Sequence, residues 1–224
     1  MKLIYLSHPL SMEAPRPPAI PAPELTEFMN IARDGASVHR LTIYSHVGTH
    51  LDTAAHVIEE GRHITEFAPD ELVFWRPVLI DLRVPDDTVI TPEHFAPYME
   101  RLQEADFLMM RLGLERVRTH EHERYSRHSP GLEPETGRFL VNNLPKLRGF
   151  GLDAPSLAAI CDLDRTMTVH HEMLRARNGR FLVVEEMKLD ALAESPRRLW
   201  IQPWLVEGMH SGPCSVTALV ETEE

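Results

Sequence analysis

Two cysteines, Cys161 and Cys214, are all that this 224-residue chain contains. They stand in unrelated contexts, so neither a disulfide framework nor a CxxC metal knuckle can be built, and a reducing compartment is expected. Long apolar runs are also missing. The opening MKLIYLSHPLSMEAPRPP interrupts its short apolar stretch with histidine and proline. No segment approaches the ~20 apolar residues that a membrane span requires. A cytoplasmic protein without a membrane partner is the expectation. Basic residues are few beside acidic ones: 23 Lys and Arg against 34 Asp and Glu leave a net charge of −11. That balance repels phosphate-bearing partners and argues against nucleic acid. The usual nucleophile and nucleotide signatures are absent: there is no GxSxG elbow, no GxGxxG or GxxxxGK[ST] loop, and HHEMLR is not HExxH.

What is present is ordinary for a globular chain, with 43% hydrophobic and 25% charged residues. No repeat or linker divides it, so one domain over 1–224 is expected. Short segments rich in Val, Ile, Leu and Phe predict strands at KLIYL, SVHRLTIYS (37–45), RPVLIDLR, ADFLMMRLG, LRGFGLD, RFLVVEE, RLWIQPWLV and SVTALVET. Helices are predicted at TPEHFAPYMERLQEA, with Thr91 as N-cap and Pro92 at the first position, and at APSLAAICDL and TVHHEMLRAR. The pattern is α/β with a mixed sheet. APRPPAIPAP (14–23) favours a stiff extended loop, with a pocket cover as its expected use.

One stretch carries chemistry. SHVGTHLDTAAH places His46, His50, Asp52 and His56 at even positions. In a strand, alternate side chains share a face, so extended backbone predicts that all four groups point the same way. Gly48, on that face without a side chain, is expected to leave room for an ion, and the apolar LTIYS is expected to bury the group. Imidazole and carboxylate at this spacing suit a first-row divalent ion, Zn or Mn. Three ligands leave a coordination position open, the pattern of a catalytic site, where water is acidified to a pKa of about 7. His56, beyond the ligands, is then placed to carry protons. A solvated histidine-rich loop is the alternative. HEHER (120–124) reads as a solvated charged segment. Trp75, Trp200 and Trp204 are candidates for an aromatic pocket wall or for core.

HVGTHLDTAAH resembles the HxGTHxDxPxH motif of the cyclase-type metal-dependent hydrolases, the family containing the bacterial kynurenine formamidases. YLSHPL, GRHITEFAPDEL, FLMMRLG, GFGLDAPSL and VHHEML…FLVVEEMKLDAL are similar to that family's segments in the same order, over most of the chain. The resemblance implies a swivelling β/β/α fold with a mixed central sheet. It implies two divalent ions, Zn or Mn. His46, His50 and Asp52 would hold one. Asp52, His170 and Glu185 would hold the other, with His171 and Glu186 as alternatives for the last two. His56 matches the catalytic histidine. The implied activity is hydrolysis of an amide or lactam C–N bond, with an arylformamide such as N-formylkynurenine first and an isatin-type lactam or a lactone as alternatives. A homodimer or homotetramer is implied as well. A metal-binding protein without catalysis is the reading from another class. Three departures stand out: Ala54 occupies the motif's proline position, the gap from His170 to Glu185 is fifteen residues and longer than the family's, and the charged segment 116–135 is long. That segment is expected to contribute to the pocket or a subunit interface.

Overall fold

The computed structural model describes residues 1–222; the domain expected over 1–224 therefore includes two residues outside the described ones. Its strands are β1 (Lys2–Tyr5), β2 (Glu24–Met29), β3 (Val38–Thr42), β4 (His50–Asp52), β5 (Val73–Phe74), β6 (Pro77–Asp81), β7 (Val89–Ile90), β8 (Phe107–Arg111), β9 (Gly131–Leu132), β10 (Gly149–Leu152), β11 (Leu182–Glu185), β12 (Arg198–Pro203) and β13 (Ser211–Val220). The helices are α1 (Ile31–Asp34), α2 (Met99–Leu102), α3 (Glu115–His120), α4 (His122–His128), α5 (Pro134–Asn143) and α6 (Leu163–Leu174), followed by a helical turn at Ala176–Gly179. The architecture is α/β with a mixed sheet, as expected.

The main sheet runs β5-β12-β13-β4-β11-β10-β8-β6, with β1 added to β13. β6, β8, β10 and β11 are parallel, and β4 is antiparallel to both β11 and β13. The end strands β5 and β6 are joined by only Trp75 and Arg76. Both of these backbone N–H groups donate to the Asp106 carboxylate, at 2.7 and 2.9 Å. A link of this length reaches about 10 Å at most, so the edges are drawn together and the sheet nearly closes on itself.

Strand alternation sorts the side chains into two cores. Leu51, Phe107, Met109, Leu182 and Val184 pack inside the curved sheet with Leu6, Phe74, Leu199 and Val216. Leu108, Met110 and Val183 point outward and pack beneath Leu140 of α5 and Val169 and Met173 of α6. Burial on both faces explains why FLMM is apolar without alternation. Among the described residues no helix is long and apolar enough to cross a membrane.

Several expectations are corrected. The strand predicted over 37–45 shortens to β3 and pairs with β2, which periodicity did not reveal. With the short α1 they form an outlying arm whose Leu25, Phe28, Ile31 and Val38 are exposed, so LTIYS does not bury the histidine cluster. The helix predicted at APSLAAICDL is irregular chain, because its backbone is engaged elsewhere. Leu157 N–H donates to Glu185 Oε1 at 2.8 Å and the Leu157 carbonyl accepts from Leu132 N–H, also at 2.8 Å. The helix begins only after Asp162, whose side chain caps it by accepting from Arg165 N–H. The predicted helix at 91–105 starts at Pro92 as expected but runs as a 3-10 helix to Tyr98 before α2, with Pro97 inside it.

Candidate metal and active site

Leu51 belongs to the inner core, so His50 and Asp52 on either side of it are turned to the outer face of β4. On β11, inward Val184 likewise turns Glu185 outward, and the antiparallel register sets Glu185 directly opposite His50. Their side chains meet at 3.2 Å, His50 Nε2 to Glu185 Oε2. α6 lies over this face and lowers His170 onto it, with Nε2 3.0 Å from Glu185 Oε1 and 3.6 Å from Asp52 Oδ2. His46 Nδ1 stands 3.4 Å from Asp52 Oδ1. The two oxygens of Asp52 thus face different imidazoles.

The route by which His46 reaches the group differs from expectation. Only His50–Asp52 is strand; residues 45–49 form a turn in which Gly48 takes a left-handed φ of +70°. A Cβ on Gly48 would meet Leu10 Cδ1 at 3.4 Å, so the glycine supplies backbone freedom rather than space for an ion. Its carbonyl accepts from His50 Nδ1 at 2.8 Å. The Thr166 carbonyl does the same for His170 Nδ1 at 2.7 Å, one helical turn back. With each Nδ1 proton committed to a carbonyl, both rings present Nε2 to the carboxylates. His56 sits in a 3-10 turn, Ala54–His56, and approaches from the side. Its ring lies 4.5 Å from that of His46 and 5.4 Å from that of His170, centroid to centroid.

The two open pairs separate clearly. His170 is buried against Glu185, whereas His171 is exposed in a surface pocket that His56, Val57 and Met167 also line. Glu185 faces the imidazoles, while Glu186 turns away with φ +57° and is bound by Arg118, Nε to Oε1 at 2.8 Å. Arg118 comes from the long segment whose charge suggested a pocket or interface. Its partner lies 68 residues away, so no local spacing could have identified the pair.

The electrostatics call for added positive charge. Burial works against ionisation of Asp52, but the imidazoles of His46 and His50 outweigh it and hold the carboxyl well below its usual range. Glu185 is also buried, yet His170 draws it down to about 2. Conversely, burial opposes protonation of His50, and Asp52 and Glu185 raise it nonetheless to about 9. His170 rises to about 10 against the same opposition. His46, with weaker carboxylate contact, falls to about 4 because burial dominates. Burial lowers His56 as well. Asp52 is fully buried, yet among the described residues neither of its oxygens has a hydrogen-bond partner, nor does His50 Nε2. Such groups are costly unless a cation completes them. Ligand atoms sharing an ion at about 2.1 Å lie about 3.4 Å apart in tetrahedral geometry. Within the trios His46, His50, Asp52 and Asp52, His170, Glu185 the separations run from 3.0 to 3.9 Å, around this value, so the residues present fit a divalent ion.

A cavity of about 150 Å³ opens beside the group, lined by His46, His56, His170 and Glu185 and walled by Pro17, Ile20, Pro155, Ile160, Leu163 and Met167. The proline-rich loop therefore covers a pocket, stapled by Arg16, which donates to the carbonyls of Ile20 and Ala14. Trp75 and Trp204 are exposed, and none of the three tryptophans lines this cavity. HEHER is exposed and lies on α3 and α4, although His122 and Glu123 border a separate groove with Pro15–Pro18. Sequence reasoning missed His210, whose ring stacks on His56 at 5.6 Å and 24°. It is brought in by the pairing of β13 with β4, where Ser211 sits opposite Asp52. A lone histidine in EGMHSG carries no signal of that pairing.

Among solved structures the fold is similar to isatin hydrolase A from Labrenzia aggregata, at 22% identity and a TM-score of 0.82, covering 98% of this chain and 94% of that one. It is similar to isatin hydrolase A from Ralstonia solanacearum, at 20% and 0.83, covering 98% and 92%. A third likeness is to a structure described as a "predicted metal-dependent hydrolase" from Bacillus stearothermophilus, at 20% and 0.71, covering 97% of each chain. At these identities the likeness is one of fold. An uncharacterized protein of Haemophilus influenzae is 29% identical over 113 residues, 50% of this chain and 80% of that one. A family model matches residues 4–159, more than half of the chain and including His46 through His56. The chain belongs to the family described as "Putative cyclase".

Proposed function

We propose that the chain is a metal-dependent hydrolase that cleaves the carbon–nitrogen bond of a neutral aromatic amide or lactam. The observation that carries this reading is the fully buried Asp52, whose two oxygens have no hydrogen-bond partner among the described residues and face His46 and His170, which line an apolar cavity together with His56. His46, His50 and Asp52 would hold one ion, and Asp52, His170 and Glu185 a second, because each Asp52 oxygen faces a different imidazole. A divalent ion supplies Lewis acidity there, polarising a carbonyl and acidifying water. The chain's own groups do the rest. The carbonyls of Gly48 and Thr166 orient the two buried rings. Pro17, Ile20, Pro155 and Met167 exclude bulk water and receive an aromatic ring. His56 accepts a proton from the attacking water and returns it to the departing nitrogen as the C–N bond breaks.

The cavity walls also bear on substrate. Among the described residues no lysine or arginine lines them, so the carboxylate at the amino-acid end of N-formylkynurenine would find no cationic side chain. A small lactam such as isatin, named in the Labrenzia and Ralstonia structures, or an unsubstituted formanilide suits the volume better. The test is hydrolysis of isatin, formanilide and N-formylkynurenine by protein as isolated, after chelation, and after Zn or Mn is restored. Turnover of the neutral substrates that vanishes and returns with metal supports the proposal. Preference for N-formylkynurenine would make the enzyme an arylformamidase and overturn the argument from the cavity walls. Tight metal with no turnover of any of these compounds would favour the metal-binding protein without catalysis.

A further inference from the structure

We propose that His46, His56 and His210 form an all-imidazole cation site beside the cavity that the first two line, and that an ion bound there inhibits by withdrawing His56 from proton transfer. The inhibitory consequence rests on the reading of His56 above; the site itself does not. One ligand atom from each of the three side chains lies within 4.8 Å of the other two. Their ring centroids stand 4.5, 5.6 and 6.3 Å apart. All three are half-buried, so an ion can reach them from solvent, unlike Asp52 and Glu185 beneath.

His210 is firmly placed. Its carbonyl accepts from both the N–H and the hydroxyl of Thr53, at 3.1 and 2.7 Å, and its Nδ1 lies 3.1 Å from Ser211 Oγ. The backbone therefore holds the residue whatever its side chain, which makes the side chain a clean target for substitution.

The ligand chemistry distinguishes this trio from the deeper group. It contains no carboxylate, and neutral imidazoles favour Zn, Ni or Cu over the oxygen-preferring Mn and Mg. The deeper group, with Asp52 and Glu185, accepts either kind. His46 belongs to both sets, so with both ions bound it would serve them as an imidazolate, one nitrogen to each, its ring proton released to solvent; the two sites are separated by choice of metal.

Zinc-loaded protein is dialysed against rising Zn, and in parallel against rising Mn, with bound metal and hydrolysis measured on the same samples. The wild type takes up one further, weaker Zn per chain, turnover falls in step, and excess Mn does neither. In His210→Ala and His210→Asn that uptake weakens by at least about tenfold, the lower end of what loss of even an outer supporting group costs a metal site. The turnover that remains in these variants is no longer depressed by excess Zn. Equal uptake by wild type and both variants would overturn the site, as would loss of the tightly held metal in them. Uptake that depends on His210 in a protein without hydrolytic activity would keep the site and reject the functional reading instead.

Discussion

Asp52 concentrates the demands of the site at a single residue. It is fully buried, holds its charge, and offers two oxygens that no N–H or O–H satisfies. Asp52→Asn should therefore lower the tightly held metal sharply, by plasma emission analysis, while His56→Ala should leave that metal intact and cut turnover by about 10²–10⁴-fold. Equal metal loss in both variants would make His56 a ligand. The elevated pKa values of His50 and His170, about 9 and about 10, exceed the ordinary histidine value. Their protonation therefore stabilises the chelated fold below about pH 6.5, and that contribution is lost as pH rises through 9 and 10. The chelated protein should melt at a lower temperature at pH 10 than at pH 7, and metal should narrow the difference by replacing the protons with a cation. Among residues away from the cavity, Arg118→Ala would leave Glu186 a buried unpaired carboxylate, at a cost of about 3–5 kcal/mol in denaturant unfolding.

At the scale of elements, the site is held by short pieces whose positions depend on tight backbone contacts. The turn bearing His56 is backed by Gly61, where a Cβ would lie 2.4 Å from the Ala54 carbonyl carbon and the Ala55 nitrogen. Gly61→Ala must displace that turn, so turnover should fall more than metal content does; an unchanged rate would mean that the position of His56 is not critical. Elements were unequally legible in the sequence. Strands buried on both faces, such as FLMMR and LVVE, announced themselves through composition. Of the outlying arm only β3 was legible, within the strand predicted over 37–45; β2 was not, because an outlying ribbon without a packed face has little periodicity to read. APSLAAICDL looked helical by composition, but its backbone bonds to Glu185 and β9 prevailed. The even spacing from His46 to His56 picked out groups that do converge. The reason given for it was incomplete: β4 supplies only His50 and Asp52, and a left-handed glycine and a 3-10 turn deliver the others.

For the whole molecule, closure of the sheet through Trp75 and Arg76 and metal binding at its outer face should act on the same unfolding transition. Metal that binds only the folded chain adds about 2.7 kcal/mol when free ion exceeds its dissociation constant a hundredfold. Calorimetric melting should accordingly rise with Zn or Mn concentration and fall on chelation; a melting temperature indifferent to metal would exclude a tight site. By itself, the sequence determined residue type and local pattern: the α/β alternation, two cysteines in unrelated contexts, and the histidines and aspartate of the first motif. These are legible because they depend on neighbours a few positions apart. Only the tertiary structure decided that Glu185 rather than Glu186 faces His50, that Arg118 takes Glu186, and that His210 stacks on His56. Each of those choices depends on strand register or on contacts between segments at least 68 residues apart, which local sequence does not encode.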